Sequence, residues 1–220
     1  MKWIAILFMT LSISKSFAGT DFAVKEWNAA ANNKKPFVFY ISGDGGLNSF
    51  STAVCQSIFE KGYNITALNA KSYFWEKKTP ETSAADITAY LQKKVTAADG
   101  KIILIGYSFG ADVLPFIINK LPDATRKKIS SVVLLSPSAS TDFEIHWSDI
   151  LGGNKKRSMS VVEEMNKLNV PKTAALFGSD EKEFPVKDIK IKNFSSFYLP
   201  GGHHFEGNTE EVSKIMVGYF

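Results

Sequence analysis

Lys101-Ile102-Ile103-Leu104-Ile105-Gly106-Tyr107-Ser108-Phe109-Gly110-Ala111-Asp112-Val113-Leu114-Pro115 is the stretch on which the fold reading turns. Its first five residues form an apolar block suited to a strand buried on both faces of a parallel sheet. The glycine-flanked Gly106-Tyr107-Ser108-Phe109-Gly110 then makes a sharp turn. A helical pattern follows from Ala111 to Leu121, with a kink expected at Pro115. Strand, turn and helix are contiguous, with a serine at the apex.

The same alternation extends in both directions. Phe37 to Ile41 reads as a buried strand ending in the turn Ser42-Gly43-Asp44-Gly45-Gly46. Phe50, Ala53, Val54 and Ile58 recur at helical spacing, and Gly62 ends that helix. Ile65 to Leu68 is a second strand, and Thr79-Pro80 opens a helix with Ile87, Tyr90, Leu91 and Val95 on its buried face. Val132 to Leu135, Ala174 to Phe177 and Phe197 to Leu199 are further strands, and Glu210 to Tyr219 is a last helix. Apolar strands separated by helices imply an α/β fold with a mostly parallel sheet covered on both sides.

Composition narrows the class. The chain has 220 residues, 45% hydrophobic and 22% charged, with a formal charge of +4 and one cysteine. Aromatics at 13% exclude a disordered chain, and one cysteine excludes an internal disulfide framework. No repeat, low-complexity tract or linker divides the chain. At the N-terminus, Lys2, the apolar run Trp3 to Ile13 and the small residues Ser16 and Ala18 have the layout of a secretory signal peptide. The run is too short to cross a bilayer, which takes about 20 residues. Cleavage after Ala18 leaves residues 19–220 as a single exported domain of charge +2. With so small a charge and no basic stripe, nucleic-acid binding is not expected.

In sheets of this kind, chemistry collects at the carboxyl ends of the strands. A strand–turn–helix with Ser108 at its apex is the context of a nucleophile elbow, which holds the hydroxyl out of the sheet over a helix N-terminus. Such a serine needs a base and an acid to orient the base. Of three histidines, His146 falls in the alternating, strand-like Asp142 to Trp147 and reads as a residue on a strand face. His203 and His204 follow Pro200-Gly201-Gly202 at a strand end. Adjacent side chains diverge, so one of the two serves; His203 is favoured and His204 packs or orients. The acid is expected in Phe177-Gly178-Ser179-Asp180-Glu181-Lys182-Glu183-Phe184-Pro185. Residue type points to Asp180, and spacing to the proline points to Glu181. Both stay open, with the strand edge near Ser136 as the fallback. The order Ser, acid, His is that of α/β-hydrolases. The oxyanion hole is expected from the N–H groups of Phe109 and Asp44. The carboxylates of Asp44 and Asp112 are candidate contacts for a cationic part of the substrate, or local turn and helix partners. The paired histidines lack a third ligand, so neither a metal nor a cofactor is expected.

Ser42-Gly43-Asp44-Gly45-Gly46, the decapeptide Gly106 to Pro115, Asp142-Phe143-Glu144-Ile145-His146 and Gly201-Gly202-His203-His204-Phe205 together resemble the VirJ/AcvB family of bacterial exported proteins. The resemblance runs over nearly all of the chain after residue 18. It implies a periplasmic serine hydrolase of the α/β-hydrolase fold. It further implies hydrolysis of aminoacyl-phosphatidylglycerol, such as the lysyl or alanyl ester, and a link to virulence through type IV secretion proteins. On this chain it assigns the nucleophile to Ser108 and the base to the His203-His204 pair, and it favours Glu181 as the acid. Leu47 departs from the pattern, which has an aromatic there.

The segment Ser138 to Val170 stands where larger relatives insert a lid and is short enough that any lid is small. It contains Lys155-Lys156-Arg157, a candidate contact for anionic phospholipid headgroups at a membrane surface.

Overall fold

A computed structural model of the protein describes residues 23–29, 33–97, 100–145 and 157–220. The expected signal peptide, His146, Lys155 and Lys156 lie outside the described residues.

The elements run β1 (Val24–Trp27), β2 (Phe37–Ile41), α1 (Ser49–Glu60), β3 (Ile65–Leu68), α2 (Ala70–Tyr73), α3 (Pro80–Lys94), β4 (Ile102–Tyr107), α4 (Phe109–Lys120) and α5 (Asp123–Arg126). They continue with β5 (Ile129–Leu135), β6 (Ser140–Thr141), β7 (Met159–Ser160), α6 (Val161–Met165), β8 (Thr173–Gly178), β9 (Phe194–Leu199) and α7 (Thr209–Tyr219). Seven strands form one sheet in the order β1-β3-β2-β4-β5-β8-β9. Every pairing is parallel except β1 with β3.

The apolar blocks are strands because both their faces are covered. Val38 and Tyr40 of β2, with Ile103 and Ile105 of β4, pack on one side against Val54 and Ile58 of α1 and Val212 and Met216 of α7. Phe39, Ile41 and Leu104 face the other side, against α3 and α4 residues such as Ile87, Leu91, Val113 and Ile117. Burying each such side chain is worth about 1.5–3 kcal/mol, which is why the central strands carry almost no polar residue. Helix α3 begins where Thr79-Pro80 predicts, with a reciprocal capping box between Thr79 and Thr82.

Several boundaries differ from the sequence reading. Helix α4 starts two residues earlier, at Phe109, and continues through Pro115. The strand read as 132–135 extends back to Ile129, and that read as 197–199 back to Phe194. The expected strand over Asp142 to Trp147 is corrected across its described part: residues 142–145 form no strand, and the chain bends at Phe143 and Glu144. Phe143 is buried there because its ring meets Phe74 and Phe116 at centroid distances of 5.9 and 5.8 Å, without sheet pairing. The local strand pair lies instead between β6 and β7.

Strand β2 has β3 on one side and β4 on the other, so the chain's winding reverses between β2 and β4. A crevice opens at the carboxyl ends of strands at such a reversal, and the Ser42 to Gly46 loop and the Ser108 turn both lie there.

Candidate active site

Ser108 sits between the last residue of β4 and the first of α4 with φ 53° and ψ −122°. Its carbonyl accepts from the N–H groups of Ala111 and Asp112, and its own N–H donates to Leu135 O at 2.8 Å. The turn is possible because of close glycine packing. A β-carbon on Gly110 would fall 2.3 Å from the carbonyl oxygen of Ile41, so no larger residue lets α4 approach β2 this closely. Among the described residues, the non-glycine positions with positive φ are Ser108, Ser136, Phe205 and Glu206. Of these, Ser108 lies in the crevice itself, as strained backbone at functional sites does.

His203 Nε2 lies 2.8 Å from Ser108 Oγ, and His203 Nδ1 lies 2.7 Å from Glu181 Oε1. With Nδ1 carrying its hydrogen toward the carboxylate, Nε2 is left to accept the Ser108 hydroxyl proton. The other oxygen of Glu181, Oε2, accepts from Ser136 Oγ and from the Gly178 N–H, each at 2.8 Å. Burial would by itself raise the Glu181 carboxyl. The hydrogen bonds from His203, Gly178 and Ser136 outweigh it and hold the group below its ordinary value.

Of the two carboxylates left open by the sequence, the structure therefore brings Glu181 to the imidazole and leaves Asp180 out. The backbone decides this. Asp180 N–H bonds to Gly201 O at 3.0 Å, and its exposed side chain is met by the Ser179 hydroxyl at 3.4 Å. Glu181 N–H closes a turn on Gly178 O at 3.0 Å, which returns the longer side chain beneath the histidine loop. Gly178 packs so closely on that loop that a β-carbon would meet Gly202 O at 2.3 Å.

A pocket of about 280 Å³ opens over Ser108 and His203, lined also by Asp44, Asn48, Lys71, Tyr107 and His204. The N–H groups of Phe109 and Asp44 have no acceptor among the described residues. Phe109 is the first residue of α4, so its N–H has no carbonyl to bind within the helix. Asp44 Oδ1 accepts from the N–H of Gly45 at 2.8 Å, so its carboxylate braces its own turn while lining the pocket. A larger groove of about 570 Å³, lined by Arg126, Lys127 and Asn193 among others, lies at the amino ends of β5 and β9 and holds no serine–histidine pair.

Two of the expected contacts have local partners. Asp112 does not line the pocket: it is buried, and its Oδ1 accepts from the Ser138 N–H at 2.6 Å. Burial pushes its carboxyl up to about 7 against that bond. Arg157 is drawn inward, with a side chain 18% exposed and 3.6 Å from Asp142, and its N–H bonds to Ser140 Oγ at 2.9 Å. His204 is exposed at the pocket's edge, its ring against Phe50 and Tyr107.

The sequence reading missed three neighbours. Tyr107 donates its hydroxyl to His203 O at 3.3 Å. Ser136 holds the acid, and Lys71, at the start of α2, brings a cation to the pocket. Tyr107 stands inside the pentapeptide and could have been flagged, whereas nothing local marks the other two. Among the described residues no group of three or more His, Cys, Asp or Glu could hold a metal ion, and no helix is long and apolar enough to cross a membrane.

No curated protein sequence is significantly similar to this chain. Among solved structures, MenH from S. aureus is similar at 14% identity over 90% of this chain and 97% of that one, with a TM-score of 0.65. Est1E from Butyrivibrio proteoclasticus has 18% identity over 89% and 92%, with a TM-score of 0.60. The thioesterase domain from the curacin biosynthetic pathway has 14% identity over 88% and 94%, with a TM-score of 0.59. At these identities the likeness is one of fold, and the fold is that of the α/β-hydrolases. Residues 35–220 match the model of the family described as bacterial virulence protein VirJ. With that match covering most of the chain, and with the fold to carry it, the protein belongs to the VirJ family.

Proposed function

We propose that the protein is a serine ester hydrolase that works through an acyl-enzyme. The observation that supports this reading best is the hydrogen-bonded series Ser108 Oγ, His203 Nε2, His203 Nδ1 and Glu181 Oε1, at 2.8 and 2.7 Å, on a strained strand-to-helix turn. Ser108 Oγ attacks the ester carbonyl carbon while His203 takes its proton, and the oxyanion rests on the N–H groups of Phe109 and Asp44. Collapse breaks the bond to the alcohol oxygen, which receives the proton from His203. A water then repeats the sequence on the acyl-enzyme, releasing the acid and restoring Ser108. Glu181 stays ionised and steadies the imidazolium.

The finer reading rests on the VirJ resemblance: an aminoacyl ester of phosphatidylglycerol, hydrolysed in the periplasm after export through residues 1–18. Asp44 would face the ammonium of the aminoacyl group. Lys155 and Lys156 would meet anionic phospholipids, and secretion-system proteins would be its partners.

Purified protein, incubated with aminoacylated and plain phospholipids, is expected to release free amino acid, read by mass spectrometry, and to be labelled by a fluorophosphonate. Ser108→Ala should abolish labelling and lower kcat by roughly 10⁴-fold or more. Labelling or turnover that survives in Ser108→Ala overturns the hydrolase. Hydrolysis of small soluble esters or thioesters alone overturns the lipid substrate and keeps the chemistry.

A further inference from the structure

We infer that Ser136 is a positioning residue whose hydroxyl fixes the Glu181 carboxylate for His203, an inference that rests on the hydrolase reading above. Ser136 follows the last residue of β5, is 1% exposed, and has φ 47°. That left-handed conformation is open to glycine and unfavourable for a residue with a side chain. A glycine would satisfy the backbone here, so the feature that serine adds at this position is its hydroxyl.

The hydroxyl has a defined task. Its single proton goes to Glu181 Oε2 at 2.8 Å, with His203 O a longer second acceptor at 3.4 Å. The Gly178 N–H reaches the same carboxylate oxygen at 2.8 Å from the end of β8. Donors from the ends of two adjacent strands thus clamp Oε2, and the remaining oxygen, Oε1, is aimed at His203 Nδ1. Without the Ser136 donor, one bond would hold Oε2 and the carboxylate could swing about its last torsion. Ser136 is itself held on two sides. Its N–H bonds to Leu176 O at 2.8 Å, and two residues on, the Ser138 N–H is bound by Asp112. Strain that surrounding bonds maintain beside a candidate catalytic group is the pattern expected of a residue retained for that group.

The experiment compares Ser136→Gly and Ser136→Ala with the wild type in the full chain, using p-nitrophenyl acetate turnover and the rate of fluorophosphonate labelling. Both variants should lose roughly 10- to 100-fold in kcat, the scale of removing a partner that orients a functional group. KM should stay within about twofold, because Ser136 does not line the pocket. Ser136→Gly should stay folded, because relief of the backbone offsets part of the stability lost with the bond to Glu181. In a Glu181→Gln background, Ser136→Gly should slow labelling by less than about twofold, because no carboxylate remains to be positioned. Wild-type kcat in Ser136→Gly overturns the inference, as does an equal loss in both backgrounds. An inactive Ser108→Ala beside a fully active Ser136→Gly would overturn this inference alone, whereas a fully active Ser108→Ala would remove the hydrolase beneath it.

Discussion

Glu181 and Asp112 are two carboxylates in the field of the same imidazole, and they settle on opposite sides of their ordinary range. Both are taken out of water, and in both burial is the largest influence, opposing ionisation. Glu181 answers it with three donors: His203 Nδ1–H, the Gly178 N–H and the Ser136 hydroxyl. Asp112 has only the donors of Ser138, so burial prevails and its carboxyl rises to about 7. Asp112 is also the more deeply buried of the two, so depth and the number of hydrogen bonds to the anion together decide which carboxylate keeps its charge. The consequence is a division of labour. Glu181 is an anion available to an imidazolium, while Asp112 is a strut between α4 and the loop after β5 whose carboxyl takes up a proton near neutral pH.

The largest effect that follows is on turnover. Glu181→Gln keeps an oxygen for Ser136 and Gly178 but presents an amide N–H₂ to His203 Nδ1, which forces the imidazole into the tautomer that cannot accept from Ser108. The kcat should fall by roughly 10⁴-fold, the scale of amide replacement at a triad acid, with little change in melting temperature. Asp180→Asn, one residue away, should leave kcat within about twofold, because its side chain is exposed and meets only the Ser179 hydroxyl. Equal, small losses at both positions in a steady-state assay would end the assignment of Glu181 and move the acid elsewhere.

These two neighbours also mark how far the sequence can be read. The Ser108 turn is legible because strand, turn and helix are contiguous, and each states its own pattern: apolar block, flanking glycines, helical spacing. The layered α/β architecture follows from the same blocks. Strand β1 is not legible, since Val24-Lys25-Glu26-Trp27 is a four-residue edge whose middle residues are charged and exposed. In Phe143 the alternation misleads, because burial by Phe74 and Phe116 imitates the burial of a strand face. The choice between Asp180 and Glu181 depends on backbone bonds from the acid loop to Gly201 and Gly178. The hydroxyl that secures the choice comes from Ser136, 45 residues earlier in the chain. Local pattern carries the nucleophile, and strand pairing carries its partners.

The smaller effect is on stability, and it tests the other half of the comparison. A carboxyl held at about 7 in the folded protein, against an ordinary 3.8, keeps its proton over a pH range in which the unfolded chain has lost it. Folding stability is then full below about pH 4 and declines as pH rises toward 7. The Glu181 carboxyl, displaced downward, acts with the opposite sign and adds stability above its ordinary value. For Asp112, a displacement of about three pH units corresponds to on the order of 4 kcal/mol once both states are ionised. Asparagine is the isostere of the protonated acid, and its carbonyl oxygen can still accept from the Ser138 N–H. Asp112→Asn should therefore match the wild type near pH 4 and exceed it increasingly up to about pH 8. At roughly 2–4 °C per kcal/mol for a chain of this size, the gain should reach several degrees. Thermal melts of the two proteins across pH 4–8 measure it directly. A variant less stable than the wild type at pH 8 would mean that the charged form of Asp112 is the one the fold requires, and the contrast with Glu181 would vanish.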